Sequence, residues 1–280
     1  MSIDLKRKIA SSIRLLQSIP DDKPIEIAYS GGKDSDVILE LAKMAKINYR
    51  AIYKNTTIDP PGTIAHVVRA GAEIVRPSVS FFHLIRRKGF PSRDARFCCK
   101  VLKEYKILDR AILGIRRCES PKRAARYEAP EVCRVYSKRD KTKNARHYFP
   151  ILEWSDKDIA DFIAERNIKC HPLYYDDMGV FHPERRLGCM GCPLASKKHR
   201  LAEFISHPNM VKAYCRAAGF YWDAHPKSPM REYISDVYEW FVMHLFCNSK
   251  REFEERFGKS LFYSRVDCKA FLEDYFHIKF

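Results

Sequence analysis

The chain alternates short apolar runs with amphipathic stretches, a pattern that predicts an α/β protein. Ile3, Ile9, Ile13 and Leu16 fall at helical spacing with charged residues between them. Ile25, Ile27 and Tyr29 then alternate with Glu26 and Ala28 as a strand does, until Ser30, Gly31 and Gly32 break the alternation. Behind them Val37, Ile38, Leu41, Ala42 and Ala45 recur at three- and four-residue intervals, predicting a helix that opens at Asp34 and Ser35. Further on, the spacing predicts a strand over 49–55, a helix started by Pro60 and Pro61 and stopped by Gly71, and a strand over 73–76. Helices over 81–88 and 98–108 and a fourth strand over 111–115 follow. Ser155 and Asp158 open a helix that carries Ile159, Phe162 and Ile163 inward as far as Asn167. Beyond Cys192 the pattern is helical, with Leu201, Phe204, Ile205, Tyr233, Val237, Trp240, Phe241 and Leu245 as core-facing positions. Strands and helices alternating at these lengths predict a mostly parallel, doubly wound sheet over 1–193 and a helical C-terminal region over 194–280.

Charge adds a direction to this outline. Lys and Arg number 51 against 35 Asp and Glu, a formal charge of +16, and a field of that sign attracts nucleic acid or polyphosphate. The densest basic stretch, Arg134 to Arg146, sets Arg134, Lys138, Arg139, Lys141, Lys143 and Arg146 against Asp140 alone and reads as a mobile loop. No apolar run is long enough to span a membrane, and charges interrupt the N-terminal helix too often for a signal peptide, so the expected location is the cytoplasm. Ten cysteines in such a chain point to thiols or metal ligands rather than to a disulfide frame.

The candidate chemistry begins at Ser30-Gly-Gly-Lys-Asp-Ser35. A strand, a glycine turn and a helix start in that order aim backbone N–H groups and the positive helix end at one point, which suits an anion. Gly31 and Gly32 let the backbone close on a phosphate, while Ser30, Lys33 and Ser35 offer hydroxyls and a cation. Asp34 either holds Mg²⁺ or caps the helix. Ligands of such sheets bind at the carboxyl ends of the strands, so Ser30, Asn55 and Arg116 are expected to converge on one crevice. Gly114-Ile-Arg-Arg ends the fourth strand, where Arg116, with Arg117, Ser120 and Arg123, offers a second anion site. The loop is not a Walker A motif; it resembles the SGGxDS loop of the PP-loop ATP pyrophosphatases, which cleave ATP between its α and β phosphates.

Two cysteine pairs carry a second resemblance. Cys98 and Cys99 are adjacent, and Cys189 and Cys192 form a CxxC turn; together they supply four thiolates, which suit zinc or an iron-sulfur cluster. Arg96-Phe-Cys-Cys, Gly114-Ile-Arg-Arg-Cys-Glu-Ser, His171-Pro-Leu-Tyr and Leu187-Gly-Cys-Met-Gly-Cys-Pro look like successive motifs of the phosphoadenylyl-sulfate (PAPS) reductase family, and with the loop they span 25–193. The resemblance implies an adenine nucleotide α-hydrolase fold and, as in that family's cluster-bearing branch, a 4Fe-4S cluster on Cys98, Cys99, Cys189 and Cys192.

Within that family the intact loop favours ATP chemistry. The expected reaction is adenylation of an acceptor with loss of pyrophosphate, followed by sulfur transfer, as in nucleic-acid thiolation or phosphorothioation. Lys33, Asp34 and Arg116 are its catalytic candidates, and nucleic acid and a sulfur-donor protein or thiol reductant its expected partners. The first alternative is a sulfonucleotide reductase acting on adenylyl sulfate or its 3′-phosphate. Such enzymes attack sulfur with a cysteine in a C-terminal ECG tail, which is absent here; Cys268 or an external thiol would have to serve. The second is a non-catalytic nucleotide-binding module whose cysteines are structural.

Overall fold

The alternation at 25–29 forms the central strand, and the sheet grows from it to both sides. A computed structural model describes residues 2–104, 110–135, 144–258 and 264–280. In chain order the elements are α1 (Ile3–Gln17), β1 (Ile25–Tyr29), α2 (Lys33–Ala45), β2 (Tyr49–Lys54), α3 (Thr63–Arg69), β3 (Glu73–Val75), α4 (Phe81–Lys88), α5 (Phe97–Leu102), β4 (Arg110–Ile112), α6 (Pro121–Arg126), β5 (Glu131–Val135), β6 (Asn144–Tyr148) and α7 (Asp156–Glu165). Five further helices follow: α8 (Lys197–Ser206), α9 (Asn209–Ala224), α10 (Val237–Phe246), α11 (Lys250–Phe257) and α12 (Cys268–Tyr275).

The strand order is β3-β2-β1-β4-β6-β5, parallel throughout except for β5, which runs against β6 at the edge. The chain steps from β1 through β2 to β3 on one side and resumes with β4 on the other. This doubly wound α/β arrangement opens a crevice beyond the carboxyl ends of β1 and β4. Ile25, Ile27 and Tyr29 are buried as their alternation requires, and Val37, Ile38, Leu41, Ala42 and Ala45 bury the inner face of α2. Leu5, Ile9 and Leu16 seat α1 in the same core, where each fully buried leucine contributes about 1.5–3 kcal/mol. Two expectations change here. Pro60 and Pro61 precede α3 rather than forming its first turn, because Gly62 in the left-handed region (φ 86°) is its N-cap. The basic stretch is framed by strands, since 131–135 pairs with 144–148 in the sheet; Lys138, Arg139, Lys141 and Lys143 lie outside the described residues.

The chain forms two compact units, and the boundary is not a single cut at 193. The first comprises Met1–Asn55, Asp59–Arg76 and Lys103–Gly188; the second comprises Thr56–Ile58, Pro77–Leu102 and Cys189–Phe280. The apolar face of α4 explains the difference: Phe81, Leu84 and Ile85, with Phe90 after them, share a core with Phe204, Tyr214, Trp240 and Phe241 of the C-terminal helices. Ile205, expected in that core, is exposed.

Two substitutions test this packing. Ser155 caps α7 by accepting from the Asp158 amide at 3.1 Å, and the Asp158 carboxylate accepts from the Ser155 amide and from Lys8 Nζ, each at 2.8 Å. Burial works to raise the Asp158 pKa, but Lys8 and Ser155 outweigh it and hold the carboxyl below its ordinary value. A depressed carboxyl contributes stability above its unfolded pKa and loses it as pH falls through the folded one. Ser155→Ala is therefore expected to lower the unfolding free energy in urea by about 1 kcal/mol at neutral pH and by less in acid, where Asp158 is protonated. In the second unit, Gly89 has φ 74°, and a Cβ there would lie 2.5 Å from Trp240 Cη2. Gly89→Ala should cost at least about 2 kcal/mol in the same measurement.

Candidate functional site

The crevice of the first unit is built around the start of α2. Gly31 takes φ +76°, a conformation that favours glycine, and a Cβ there would touch Leu187 at 3.4 Å and Thr63 at 3.6 Å. Gly32 is the N-cap of α2 and makes no side-chain cap hydrogen bond. Two serines brace the turn from inside it. The Ser35 hydroxyl donates to the Gly32 carbonyl at 2.7 Å and accepts from the Ser30 amide at 3.3 Å, while the Ser30 hydroxyl accepts from the Gly32 amide at 3.3 Å. The turn is therefore held open by its own side chains, and the positive end of α2 faces the crevice without a capping side chain. Tyr174 closes one side: its hydroxyl accepts from the Leu187 amide at 3.2 Å and would lie 3.2 Å from a Cβ at position 32. Burial pushes the phenol up to about 12, so it stays protonated.

The charged candidates are arranged as a chain of ion pairs. Lys33 is 3% exposed; its ammonium lies 3.5 Å from Asp34 Oδ2 and 5.4 Å from the centroid of the Tyr174 ring. Arg116 Nε stands 2.8 Å from Asp34 Oδ1, off the N–H direction, so the contact is an ion pair without a directed hydrogen bond. Arg116 Nη2 meets Asp156 at 2.8 Å, and Nη1 donates to Cys118 Sγ at 3.0 Å and the Trp154 carbonyl at 3.4 Å. Burial opposes the charge on Arg116, and Asp34 and Asp156 outweigh it and raise its pKa. The guanidinium expected to reach an anion is thus turned to carboxylates, and Asp34 pairs with both cations and does not cap α2, whose N-cap is Gly32. Gly114 lets β4 pass close to α2, since a Cβ there would touch Ile38 at 3.4 Å and Asp34 at 3.5 Å.

The remaining expected residues divide. Ser120 caps α6 by accepting from the Arg123 amide at 3.2 Å, and Arg117 turns away to the Tyr127 carbonyl at 2.7 Å and Glu153 at 2.8 Å. Asn55 ends β2 with its amide donated to the Val75 carbonyl at 3.0 Å. Arg123 pairs with Glu119, to which Arg186 also comes within 3.6 Å. Burial and then Arg186 lower the Arg123 pKa, and the two guanidiniums share the Glu119 carboxylate. Arg186 had no role in the sequence reading, its signal being its place beside the Leu187-Gly-Cys motif, and Tyr174 entered only as the last residue of His171-Pro-Leu-Tyr. Beneath the loop, Tyr29 donates to Asp36 at 2.5 Å and His66 Nε2 meets the same carboxylate at 2.9 Å. His171, 3.3 Å from Thr63 Oγ1, is pushed down to about 4 by burial and then by His66, and is neutral.

The four cysteines of the predicted metal site all belong to the second unit. Cys98 and Cys99 lie in the first turn of α5, and the 189–192 turn is pinned by the Met190 amide to the Ile58 carbonyl at 2.9 Å and by the Tyr214 hydroxyl to the Met190 carbonyl at 2.8 Å. Gly191 has φ 68°, and a Cβ there would lie 2.6 Å from the Tyr214 hydroxyl. The Cys98 thiol is raised by its hydrogen bond with Cys99, by burial and by Cys189. Tyr214 is raised by burial and then by Cys189, Glu203, Cys192 and Cys98. Among the described residues no three ligating side chains are arranged for a single ion. Cys268 is 3% exposed and burial pushes its thiol up to about 12, which makes it a poor nucleophile.

Comparison with known proteins gives a family match. The phosphoadenosine phosphosulfate reductase domain family matches residues 24–195. Similar proteins include an uncharacterised protein of Methanocaldococcus jannaschii, 29% identical over 72% of this chain and 48% of its own length. An uncharacterised 37.8 kDa protein of Escherichia phage 186 is 32% identical over 51% of this chain and 43% of its own. The chain thus spans about half the length of these two relatives. Sulfate adenylyltransferase subunit 2 of Marinobacter nauticus is 26% identical over 61% of this chain and 66% of its own. A crystal structure of phosphoadenylyl-sulfate reductase from Candida auris overlaps 68% of this chain and 96% of its own at 15% identity with a TM-score of 0.46. No helix among the described residues is long and apolar enough to cross a membrane.

The ion-pair chain makes a graded prediction. Arg116→Gln should lower the unfolding free energy by about 2 kcal/mol, less than the 3–5 kcal/mol of a sealed pair because Asp34 and Asp156 keep some solvent. Asp156→Ala, which leaves Asp34 in place, should cost under about 1 kcal/mol. Equal losses in denaturant titrations would contradict the assignment of Asp34 as the main partner.

Proposed function

Because the chain belongs to the phosphoadenosine phosphosulfate reductase domain family, we propose that it binds an adenine nucleotide at the Ser30–Ser35 turn and cleaves ATP between the α and β phosphates to adenylate an acceptor. The observation that carries this reading is the start of α2 at the reversal of the sheet, with Gly32 as its N-cap and no capping side chain. An acceptor oxygen forms a bond to the α phosphorus as the bond to the bridging oxygen breaks, and pyrophosphate leaves with that electron pair. A donor sulfur then displaces AMP. Amides of the turn stabilise the charge that grows on pyrophosphate, Lys33 adds a desolvated cation, and Arg123 and Arg186 hold a further anionic group of the nucleotide. Mg²⁺, bound through phosphate oxygens, would neutralise the polyphosphate and stabilise the leaving group. Asp34 acts by positioning Lys33 and Arg116.

Cys98, Cys99, Cys189 and Cys192 are the ligands we assign to a 4Fe-4S cluster. Four thiols in one unit supply the number of donors that such a cluster takes. The sulfonucleotide reductase reading is weakened by Cys268, whose buried, protonated thiol is in no state to attack sulfur, so that reading would need an external thiol. The charge of +16 supports nucleic acid, or a protein complex on it, as the acceptor, with a sulfur-donor protein as second partner.

The deciding assay incubates anaerobically purified protein with ATP, adenylyl sulfate and its 3′-phosphate in turn. Pyrophosphate release from ATP is the expected result; sulfite from either sulfonucleotide would replace this reading with reduction, and nucleotide binding without turnover would leave a binding module. Lys33→Ala should lower turnover by about 10²-fold while nucleotide affinity changes little. Iron and sulfide should be present at about four each per chain, and zinc in their place would exclude the cluster.

A further inference from the structure

We propose that a single strand of nucleic acid docks on the second unit, along a basic face made by the last turn of α4, the 92–95 turn and the exposed ring of Phe220 on α9. The inference rests on the reading of nucleic acid as a partner and does not depend on any group held by the cysteines. Over 86–100 the sequence sets Arg86, Arg87, Lys88, Arg93, Arg96 and Lys100 against Asp94 alone, and all six cations are exposed. The inward stripe of α4 is Phe81, Leu84 and Ile85, which leaves Arg86, Arg87 and Lys88 at its end in solvent.

Contacts across the unit join these residues into one surface. Arg86 Cζ lies 4.3 Å from the centroid of the Phe220 ring, which is 52% exposed, so the α4 and α9 sides meet there. Lys88 Nζ stands 5.5 Å from the centroid of the Phe97 ring at the start of α5, and Arg93 Nε donates to the Pro193 carbonyl at 3.2 Å, just past the 189–192 turn. The face therefore runs from α9 across the end of α4 to that turn. Among the described residues none of the six cations meets a carboxylate; those with partners rest on rings and a carbonyl. A guanidinium lying over a ring keeps its N–H edge for phosphate oxygens, with no ion pair to break first. A phosphate backbone presents an anion at every nucleotide, and the open ring of Phe220 beside the cations offers a stacking surface that any base can use. A duplex keeps its bases stacked on one another and would use the charges alone. The competing role is structural: basic residues in the last turn of α4 suit the helix dipole in a face that is otherwise only solvated.

The roles separate in fluorescence anisotropy with a labelled single strand of about 20 nucleotides, as DNA and as RNA, and a duplex of the same length, titrated over a range of salt. Wild type should bind the single strands more tightly than the duplex. The triple variant Arg86→Gln, Arg87→Gln, Lys88→Gln should flatten the slope of single-strand affinity against salt, on logarithmic axes, by about 2. Phe220→Ala should weaken single-strand binding about 10-fold and leave that slope unchanged. A control that removes the same charge from exposed positions of α1, Lys6→Gln, Arg7→Gln, Arg14→Gln, should keep a slope near that of wild type. If the two triple variants lose affinity equally, or Phe220→Ala binds as wild type does, only the net charge of the chain is acting and the proposal is overturned, with nucleic acid still a partner. A triple α4 variant that melts lower yet binds with the wild-type slope would make the structural role correct and overturn it as well. Should that variant not fold, Arg87→Gln alone should flatten the slope by about 0.7. A wild type that binds none of the strands removes nucleic acid as a partner and this inference with it, whereas pyrophosphate release from ATP tests the nucleotide chemistry separately.

Discussion

A guanidinium with almost no solvent around it must be met inside the protein, and Arg116 is met from two directions. It stands just beyond β4, Asp34 comes from the first turn of α2, and Asp156 from the first turn of α7. Acidic residues suit helix starts in any case, because the positive ends of the dipoles favour them. Here the same preference places two carboxylates where one cation can tie strand and helices together. The Ser30–Ser35 turn inherits its position from this arrangement, since Asp34 lies two residues from Gly32, and Lys33 is held against Asp34 and the Tyr174 ring.

That constraint changes what each charged residue can do. An arginine with free Nη groups would be a ligand for phosphate; one whose forks are taken by carboxylates is a structural tie that orients the groups beside it. Arg123 and Arg186, by contrast, share one carboxylate, which leaves positive charge in excess there. The braced turn needs no side-chain cap, because Ser30 and Ser35 satisfy its internal groups and leave the helix start to an anion.

The second unit applies a different logic to its cysteines. Its core is aromatic, and Tyr214 lies at the meeting point of that core with the CxxC turn, one edge against Phe81, Phe82 and Phe204 and its hydroxyl on the Met190 carbonyl. Gly191 makes this possible, since any side chain there would strike the phenol.

Local rules were enough to read the elements and the nucleotide turn from the residues. The alternation at 25–29, the helical spacing from Val37 to Ala45 and the Ser155–Asp158 capping box depend on neighbours within a few positions, and each forms as its pattern requires. The glycine turn and the cysteine motifs were likewise legible, because their chemistry is carried by adjacent residues. Arg116 was not: whether a guanidinium faces an anion or a carboxylate depends on Asp156, which no spacing rule connects to it. The ends of the basic stretch look like loop by charge alone, yet 131–135 and 144–148 become strands because β4 offers an unpaired edge to β6. The membership of Pro77–Leu102 in the second unit was also decided in three dimensions, by an aromatic core assembled from segments more than a hundred residues apart. Sequence by itself determined β1, α2, α7 and the glycine turn between the first two, since those follow from local backbone and side-chain preference. Only the tertiary structure decided which buried charges find partners, because that depends on the few long-range neighbours that close around each one.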